Sequence, residues 1–172
     1  MNEHANGKAN HAKPIQIRPI NKGDKGWVSS LINELWGSVR MVIRGSIYHV
    51  DELPGFIAIL EEEPVGLVTY FIEDGNCLII SLDSTIEGMG MGSVLIETMK
   101  NFAKEEGCKR LWLITTNDNI KALNFYQKRG FHLAAVYPDA MEESRRLIPE
   151  IPLTGHEDIP IRDEVELEMM LE

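Results

Sequence analysis

The chain has 172 residues, a formal net charge of −10 and a sequence pI of about 5.0. This acidic balance argues against a nucleic-acid partner, which needs a basic stripe, and no apolar run is long enough for a membrane span. The polar N-terminus lacks the apolar segment of a signal peptide, so we expect a cytoplasmic protein. With 44% hydrophobic residues, the chain is long enough to bury a sizeable core.

A polar tail opens the chain. Residues 1–13 contain almost nothing to bury, and we expect them to be disordered, which leaves residues 14–172 as a single domain. Ile15–Pro19 alternates apolar and polar residues and predicts a first strand. Asp24 is in the position of a cap for a helix over Lys25–Trp36, whose apolar residues fall on one face.

The central part of the chain predicts strands. Met41–Arg44 and Ser46–Val50 are strand or loop segments on either side of a glycine. Three apolar runs follow, namely Gly55–Leu60, Val65–Ile72 and Cys77–Asp83. The turn signals between them are Glu61–Pro64 and Glu73–Asn76, so the three runs predict an antiparallel meander.

After the meander, helices and strands alternate. The pattern predicts a helix from Gly90 to Gly107, a strand over Arg110–Thr115, a helix over Ile120–Arg129 and a strand over Phe131–Val136. A short helix over Met141–Leu147, a proline-rich loop over 148–160 and a final strand within Ile161–Leu171 complete the chain. This order of elements predicts an α/β domain with a mixed sheet.

Metal and disulfide chemistry is not expected. The two cysteines, Cys77 and Cys108, have no metal-ligand spacing, and we interpret them as reduced thiols. His156, Glu157 and Asp158 are consecutive, so they cannot all face one point, and we assign them to a loop.

Three alternate glycines, Gly88, Gly90 and Gly92, lie in Glu87–Ser93, where a strand turns into a helix. Glycine lets a ligand approach the backbone closely, and the first turn of a helix presents free N–H groups and a positive dipole end. The arrangement predicts a phosphate or pyrophosphate site. A tight strand–helix turn without a ligand would have the same pattern.

Two other phosphate-binding loops fit less well. The Walker loop needs a lysine after its second glycine, and none follows here. A Rossmann loop spaces its glycines differently and opens its domain, whereas too little chain follows this loop for several more βα units. Asp118 is suitably placed to be the ribose-binding acid of a Rossmann domain, so the acid does not exclude this alternative. We reject it because of the position of the loop in the chain.

A second motif lies downstream in Asn119–Phe131, which reads Asn-x-x-Ala-x-x-Phe-Tyr and then Gly-Phe. Together with the glycine loop, this motif resembles the GCN5-related N-acetyltransferase (GNAT) superfamily, whose loop reads Gln/Arg-x-x-Gly-x-Gly/Ala. The resemblance covers roughly residues 78–136. Glu87 departs from it, because a carboxylate replaces the usual Gln or Arg and adds no attraction for a phosphate.

The resemblance implies a fold, a cosubstrate and a binding site. The fold would be a mixed, mostly antiparallel sheet flanked by helices and splayed where acetyl-CoA binds, and no metal would be needed. The backbone of Leu82 and Asp83 would pair with the pantetheine arm. The residues implied in holding the rest of the cosubstrate are Gly88, Met89, Gly90, Met91, Gly92, Ser93, Asn119 and Tyr126. Lys121, Asn124 and Lys128 could also reach the phosphates.

Acetyl transfer needs a neutral amine, a donor for the oxyanion and a proton for the leaving thiolate. By resemblance Tyr126 is the general acid, and a phenol, with an ordinary pKa of about 10, is protonated at neutral pH. No clear general base stands out, and Asp83, Ser81 and Glu73 are the candidates by strand position. The residues that the resemblance suggests for acceptor contact are Trp36, Arg44, Tyr48 and His49.

The sequence therefore predicts an N-acetyltransferase that moves an acetyl group directly from acetyl-CoA to a primary amine of a small molecule. The acidic net charge would suit such a cationic acceptor. Two alternatives remain open: a non-catalytic acyl-CoA-binding or sensory module of the same fold, and an enzyme that acetylates peptide or protein N-termini. A homodimer would be in keeping with the resemblance.

Overall fold

The computed structural model describes residues 13–172, so the tail predicted over residues 1–13 lies, apart from Lys13, outside the described residues. The helices are α1 (Lys25–Trp36), α2 (Met91–Glu105), α3 (Ile120–Lys128) and α4 (Ala140–Leu147). The first strands are β1 (Gln16–Pro19), β2 (Arg40–Ile43), β3 (Ser46–His49), β4 (Gly55–Leu60) and β5 (Glu63–Glu73). The remaining strands are β6 (Asn76–Ser84), β7 (Arg110–Thr116), β8 (His132–Tyr137) and β9 (Glu164–Met170).

Seven strands form one sheet in the order β1-β4-β5-β6-β7-β9-β8, and β2 and β3 form a separate hairpin. Within the described residues β6 and β7 are the only parallel neighbours, so the sheet is mixed and mostly antiparallel, as predicted. The meander β4-β5-β6 is also confirmed. The final strand β9 inserts between β7 and β8.

The sheet opens between β6 and β7. The two strands pair from Asn76 opposite Arg110 to Ile79 opposite Leu113, and the pairing stops there. Beyond this point β6 continues to Ser84 and β7 continues to Thr116 without contacting each other through the ladder. The predicted splay of the sheet is therefore present, and it leaves one edge of each strand free of a backbone partner.

Two hydrophobic clusters fill the two faces of the sheet. On one face α2 buries Leu95, Met99 and Ala103 against the strands, as its 3.6-residue apolar period predicts. On the other face α1 buries Val28 and Ile32, and the β2–β3 hairpin covers the remaining area. The face of the sheet on which a strand residue lies therefore determines whether it packs on the α2 side or the α1 side.

The predicted cap of α1 is wrong. Asp24 precedes the helix, but its backbone is already helical and its side chain makes no cap hydrogen bond. The carboxylate instead accepts two bonds from the Arg18 guanidinium, at 2.7 and 2.8 Å, and one from the backbone N–H of Asn21 at 2.7 Å. A preceding short 3₁₀ turn brings Asp24 back to β1, and this competing cation accounts for the difference.

The structure specifies two other regions more closely than the sequence does. The turn between β4 and β5 is Glu61-Glu62, both with positive φ, and Pro64 lies inside β5 opposite Ile59. The proline-rich loop before β9 is docked, because the carbonyls of Pro160 and Pro152 accept hydrogen bonds from the Asn117 side-chain amide and the Arg145 guanidinium, at 2.9 and 2.8 Å. No helix within residues 13–172 is long and apolar enough to cross a membrane.

Candidate active site

Leu82 and Asp83 lie in the part of β6 that β7 no longer accompanies. Their backbones pair with Val68 and Leu67 of β5 on one side only. On the open side, the N–H and C=O groups of β6 have no strand partner within the described residues. An extended chain with amide groups could add to this edge as a further strand would.

The glycine loop follows directly. Gly88 and Gly90 have φ values of 75° and 71°, a conformation that favours glycine, and nothing lies within 4 Å of a Cβ added at either position. Gly90 is the N-cap of α2 and offers no side chain to the first turn. The N–H groups of Met91, Gly92 and Ser93 therefore point out of the helix end without a side-chain cap, a donor set that suits a diphosphate.

Gly92 has a different role from the other two glycines. A Cβ added to Gly92 would lie 2.7 Å from Cζ of Phe125, which belongs to the second sequence motif. The two motifs are thus in direct contact, since α3 packs its Phe125 ring on the first turn of α2. Gly92 is needed for this close approach, and its amide remains free for a ligand.

We expect Gly92→Ala to lower the free energy of unfolding by roughly 1–3 kcal/mol, because the added methyl group overlaps the Phe125 ring. Gly26→Ala is the matched control, since Gly26 lies in α1 with nothing within 4 Å of an added Cβ, and its stability should stay equal or rise. Denaturant unfolding measures both variants. A Gly92→Ala protein as stable as the wild type would show that this packing is loose.

Tyr126 lies on the α2 and α3 face of the sheet. Its ring packs edge-on against Phe125 and Phe131, with centroids 5.1 and 5.4 Å away, and only 8% of the residue is exposed. Burial first, and then the negative charge of Asp83, raise the pKa of the Tyr126 phenol above its usual value. Within residues 13–172 the hydroxyl makes no hydrogen bond, so its proton is available to a ligand.

The Asp83 side chain lies on the opposite face of the sheet, the one that α1 covers. Its register partner Leu67 belongs to the α1 cluster, and Trp36 at the end of α1 donates its indole N–H to Asp83 Oδ1 at 3.0 Å. The second oxygen, Oδ2, is buried and has no hydrogen-bond partner within the described residues. Burial raises the pKa of Asp83 to about 6, against a smaller lowering by Trp36.

Two other base candidates lie elsewhere. Glu73 pairs with Asn76 at the opposite end of β5 and β6, seven residues along β6 from Asp83, so its proposed role is wrong. The Ser81 hydroxyl is buried and shares a 2.6 Å hydrogen bond with Thr69. Asp83 is therefore the carboxylate that the fold places at the gap.

Asn119 forms the start of α3. Its side-chain oxygen accepts the backbone N–H of Ala122 at 3.2 Å and so caps the helix. Capping uses the oxygen, and the side-chain N–H groups make no hydrogen bond within the described residues.

Of the four acceptor-site candidates, two lie near the gap. Trp36 bonds Asp83, and 54% of the residue is exposed. Arg44 donates its backbone N–H and a guanidinium N–H to the buried carboxylate of Glu164, at 3.0 and 3.1 Å. Tyr48 instead packs on Phe71 towards the far end of β5.

His49, the fourth candidate, is exposed at the base of the hairpin, opposite Arg40. Glu164 itself was missed in the sequence, although the alternation of β9 predicts that Glu164 lies on the face opposite to the apolar Val165.

A cavity of about 200 Å³ lies beside this ion pair and is lined by Arg44, Gly45, Ala140, Glu143 and Glu164. It is bounded by the turn of the β2–β3 hairpin, by α4 and by the start of β9. Two carboxylates and one guanidinium therefore face a space that a small molecule could fill.

Asp118 does not fit the ribose-binding role considered for it. Asp118 is buried and its two oxygens accept bonds from the Thr116 hydroxyl and the His156 N–H, so it is not free to bind a ribose. Among the described residues no group of three or more His, Cys, Asp or Glu could hold a metal ion. Cys77 and Cys108 are both buried and free.

The model of the acetyltransferase (GNAT) family matches residues 26–131. The chain is also 46% identical to the protein YdhI of Bacillus subtilis strain 168 over 150 residues, which are 87% of this chain and 94% of that protein. This protein therefore belongs to the GNAT acetyltransferase family.

Two further matches add detail. A GNAT family acetyltransferase from Elizabethkingia anophelis, solved with acetyl-CoA bound, shares the fold with a TM-score of 0.70 and 19% identity over 91% of this chain and 98% of its own. The streptothricin acetyltransferase of Streptomyces lavendulae is 43% identical over 44 residues, which are 26% of this chain and 23% of that protein.

Proposed function

We propose that this protein transfers an acetyl group from acetyl-CoA directly to a primary amine of a small molecule. The observation that carries the proposal is the arrangement at the opening of the sheet, where Tyr126 and Asp83 approach from opposite faces. Both lie next to a glycine loop whose N–H groups are free.

Bound acetyl-CoA would supply the thioester, and the chain would hold it and handle the protons. Leu82 and Asp83 offer their open backbone edge to the pantetheine amides. Gly88, Met89, Gly90, Met91, Gly92 and Ser93 provide the backbone of the diphosphate site. Asn119 offers its side-chain amide from the start of α3.

The reaction forms a C–N bond and breaks the C–S bond. Tyr126 would give its phenolic proton to the departing sulfur, for which a raised pKa keeps it protonated at neutral pH. Asp83, with a pKa of about 6, is ionised at neutral pH and would attract the ammonium form of the acceptor. Its unpartnered Oδ2 would receive one proton as the ammonium group becomes a neutral amine. The second amine proton, lost once the C–N bond has formed, would leave to solvent, and the phenolate left on Tyr126 would take up a proton from solvent.

Two observations favour a small acceptor over a peptide. The cavity beside Glu164 holds about 200 Å³, which is below the usual size of sites for drug-sized ligands. The loop before β9 is held by hydrogen bonds to the Asn117 side chain, and an anchored loop favours a closed acceptor pocket. The carboxylates of Glu143 and Glu164 suit a positively charged molecule, and the match to a streptothricin acetyltransferase makes streptothricin a reasonable first acceptor.

The test is calorimetric titration with acetyl-CoA, followed by thiol release with small amines, streptothricin among them, and with peptides that carry free N-termini. We expect binding, and release with a small cationic amine. Binding without release on any acceptor would favour a sensory module, release with peptides alone would favour an N-terminal acetyltransferase, and no binding would refute the proposal.

A further inference from the structure

Three residues spaced by four, Lys121 and Phe125 in α3 and Arg129 at its C-cap, contact the glycine loop or the first turn of α2. Lys121 Nζ lies 3.3 Å from a Glu87 carboxylate oxygen, Phe125 packs on Gly92, and Arg129 bonds Ser93. Residues spaced by four share one face of a helix. This face of α3 therefore lines the proposed diphosphate site along its length.

Arg129 is held in one orientation. Its Nε and Nη2 donate to Ser93 Oγ at 3.0 and 2.8 Å, and its Nη1 donates to the backbone carbonyl of Phe125 at 2.8 Å. The guanidinium carbon lies 3.5 Å from the centroid of the Phe125 ring. A guanidinium has five N–H donors, so this arrangement leaves two of them free.

The same bonds fix the direction of the Ser93 hydroxyl. Its oxygen has two acceptor positions, and Arg129 occupies both. The hydroxyl proton must therefore donate to a group outside this pair. Ser93 lies in the first turn of α2, where the free N–H groups also point outward, so its O–H adds one more donor for an anion.

Lys121 forms an ion pair with Glu87, the loop residue that departs from the family pattern. Glu87 places a negative charge where the resembling family has Gln or Arg, and this charge would repel a phosphate. The ion pair with Lys121 offsets that charge, and both side chains are largely exposed and free to rearrange.

We propose that the Lys121, Phe125 and Arg129 face of α3, rather than the glycine loop, supplies the positive charge for the diphosphate of the cosubstrate. Arg129 and the hydroxyl that it orients on Ser93 bind the phosphate oxygens, and Lys121 offsets Glu87. The inference rests on the proposed function for the identity of the ligand. It predicts that affinity for a phosphate-bearing ligand depends on residues of α3.

The experiment measures the Kd of the full-length protein for coenzyme A and, separately, for pantetheine, which lacks the phosphates. Arg129→Gln should weaken coenzyme A binding roughly 10- to 100-fold, the range expected for hydrogen bonds to a charged group, and leave pantetheine binding unchanged. Lys104→Gln is the matched control, because it removes the same charge at the other end of α2 and should leave both values unchanged.

The charges of Glu87 and Lys121 allow an independent test, because substituting them should change the Kd for coenzyme A in opposite directions. Glu87→Gln should tighten coenzyme A binding a fewfold because it releases Lys121, whereas Lys121→Gln should weaken binding because Glu87 is then uncompensated. The double variant should return close to the wild-type Kd.

Each outcome separates the two proposals. A wild-type protein that binds neither coenzyme A nor pantetheine would refute the proposed function. Wild-type binding of coenzyme A with an unchanged Kd in Arg129→Gln would refute the inference about α3 alone. Equal losses for coenzyme A and pantetheine in Arg129→Gln would also overturn the inference, because they would assign Arg129 only to packing.

Discussion

Tyr126→Phe should lower kcat for acetyl transfer by roughly 10²- to 10⁴-fold, the usual contribution of a positioned general acid. The change removes only the hydroxyl, which makes no hydrogen bond within residues 13–172, and leaves the ring packed against Phe125 and Phe131. We therefore expect unchanged stability and a Kd for acetyl-CoA that rises at most about tenfold, the loss of one hydrogen bond. Steady-state kinetics on the best acceptor, with calorimetry and thermal unfolding, measure the three quantities.

Tyr70→Phe is the matched control. Tyr70 is also a partly buried tyrosine, but it packs on Phe56 and Phe102, and it pairs with Ile79 before the sheet opens. Removing the Tyr70 hydroxyl should leave kcat unchanged. If Tyr126→Phe turned over every accepted amine at the wild-type rate at all pH values, the proton donor would have to be another group.

Asp83→Asn should have opposite effects on turnover and on stability. We expect kcat/KM at pH 7 to fall about 100-fold, since the amide neither attracts an ammonium group nor accepts its proton. We expect the free energy of unfolding at pH 7 to rise by roughly 2 kcal/mol, because the ionised carboxylate is buried with one unpartnered oxygen. The Trp36 indole can still donate to the amide oxygen.

The direction of the pKa shift of Asp83 determines how its effect on the free energy of unfolding depends on pH. Folding raises the pKa of Asp83 from 3.8 to about 6, so the folded state binds the proton more tightly than the unfolded state. The destabilisation by Asp83 is complete above pH 6, shrinks as the pH falls, and is absent below about 4, where both states are protonated. The stability difference between Asp83→Asn and wild type should follow the same course in urea unfolding curves.

Asp24→Asn provides a control of opposite sign. The Arg18 guanidinium lowers the pKa of Asp24, so this carboxylate stabilises the fold at neutral pH and loses that contribution as the pH falls. Asp24→Asn should therefore be less stable than wild type at pH 7. An Asp83→Asn protein that was destabilised at pH 7 in the same way would show that Asp83 has a favourable partner in the folded state.

Local pattern was sufficient to predict most of the fold. The apolar period of α2 and the three short-turned strands β4-β5-β6 reflect spacings of a few residues, and these elements form where the periods predict them. The cap of α1 was mispredicted because Asp24 has a stronger partner in Arg18, which sequence spacing alone does not reveal.

The candidate site was less accessible from sequence because its contacts are long-range. Arg44 meets Glu164 across 120 positions, and Trp36 meets Asp83 across 47. The pKa of Asp83 depends on the burial of one oxygen, which no local pattern encodes. Arg129 did carry a signal, since its spacing of four from Phe125 predicts a shared helix face.

The opening between β6 and β7 divides the sheet into two leaves, β1-β4-β5-β6 and β7-β9-β8. Four residue pairs, from Asn76–Arg110 to Ile79–Leu113, form the ladder that joins them. An extended molecule that paired with the free edges of β6 and β7 beyond these four pairs would connect the two leaves by additional hydrogen bonds. Unfolding of the two leaves would then be coupled more strongly in the complex, so the backbone amides near Leu82 should exchange with solvent deuterium more slowly once acetyl-CoA is bound.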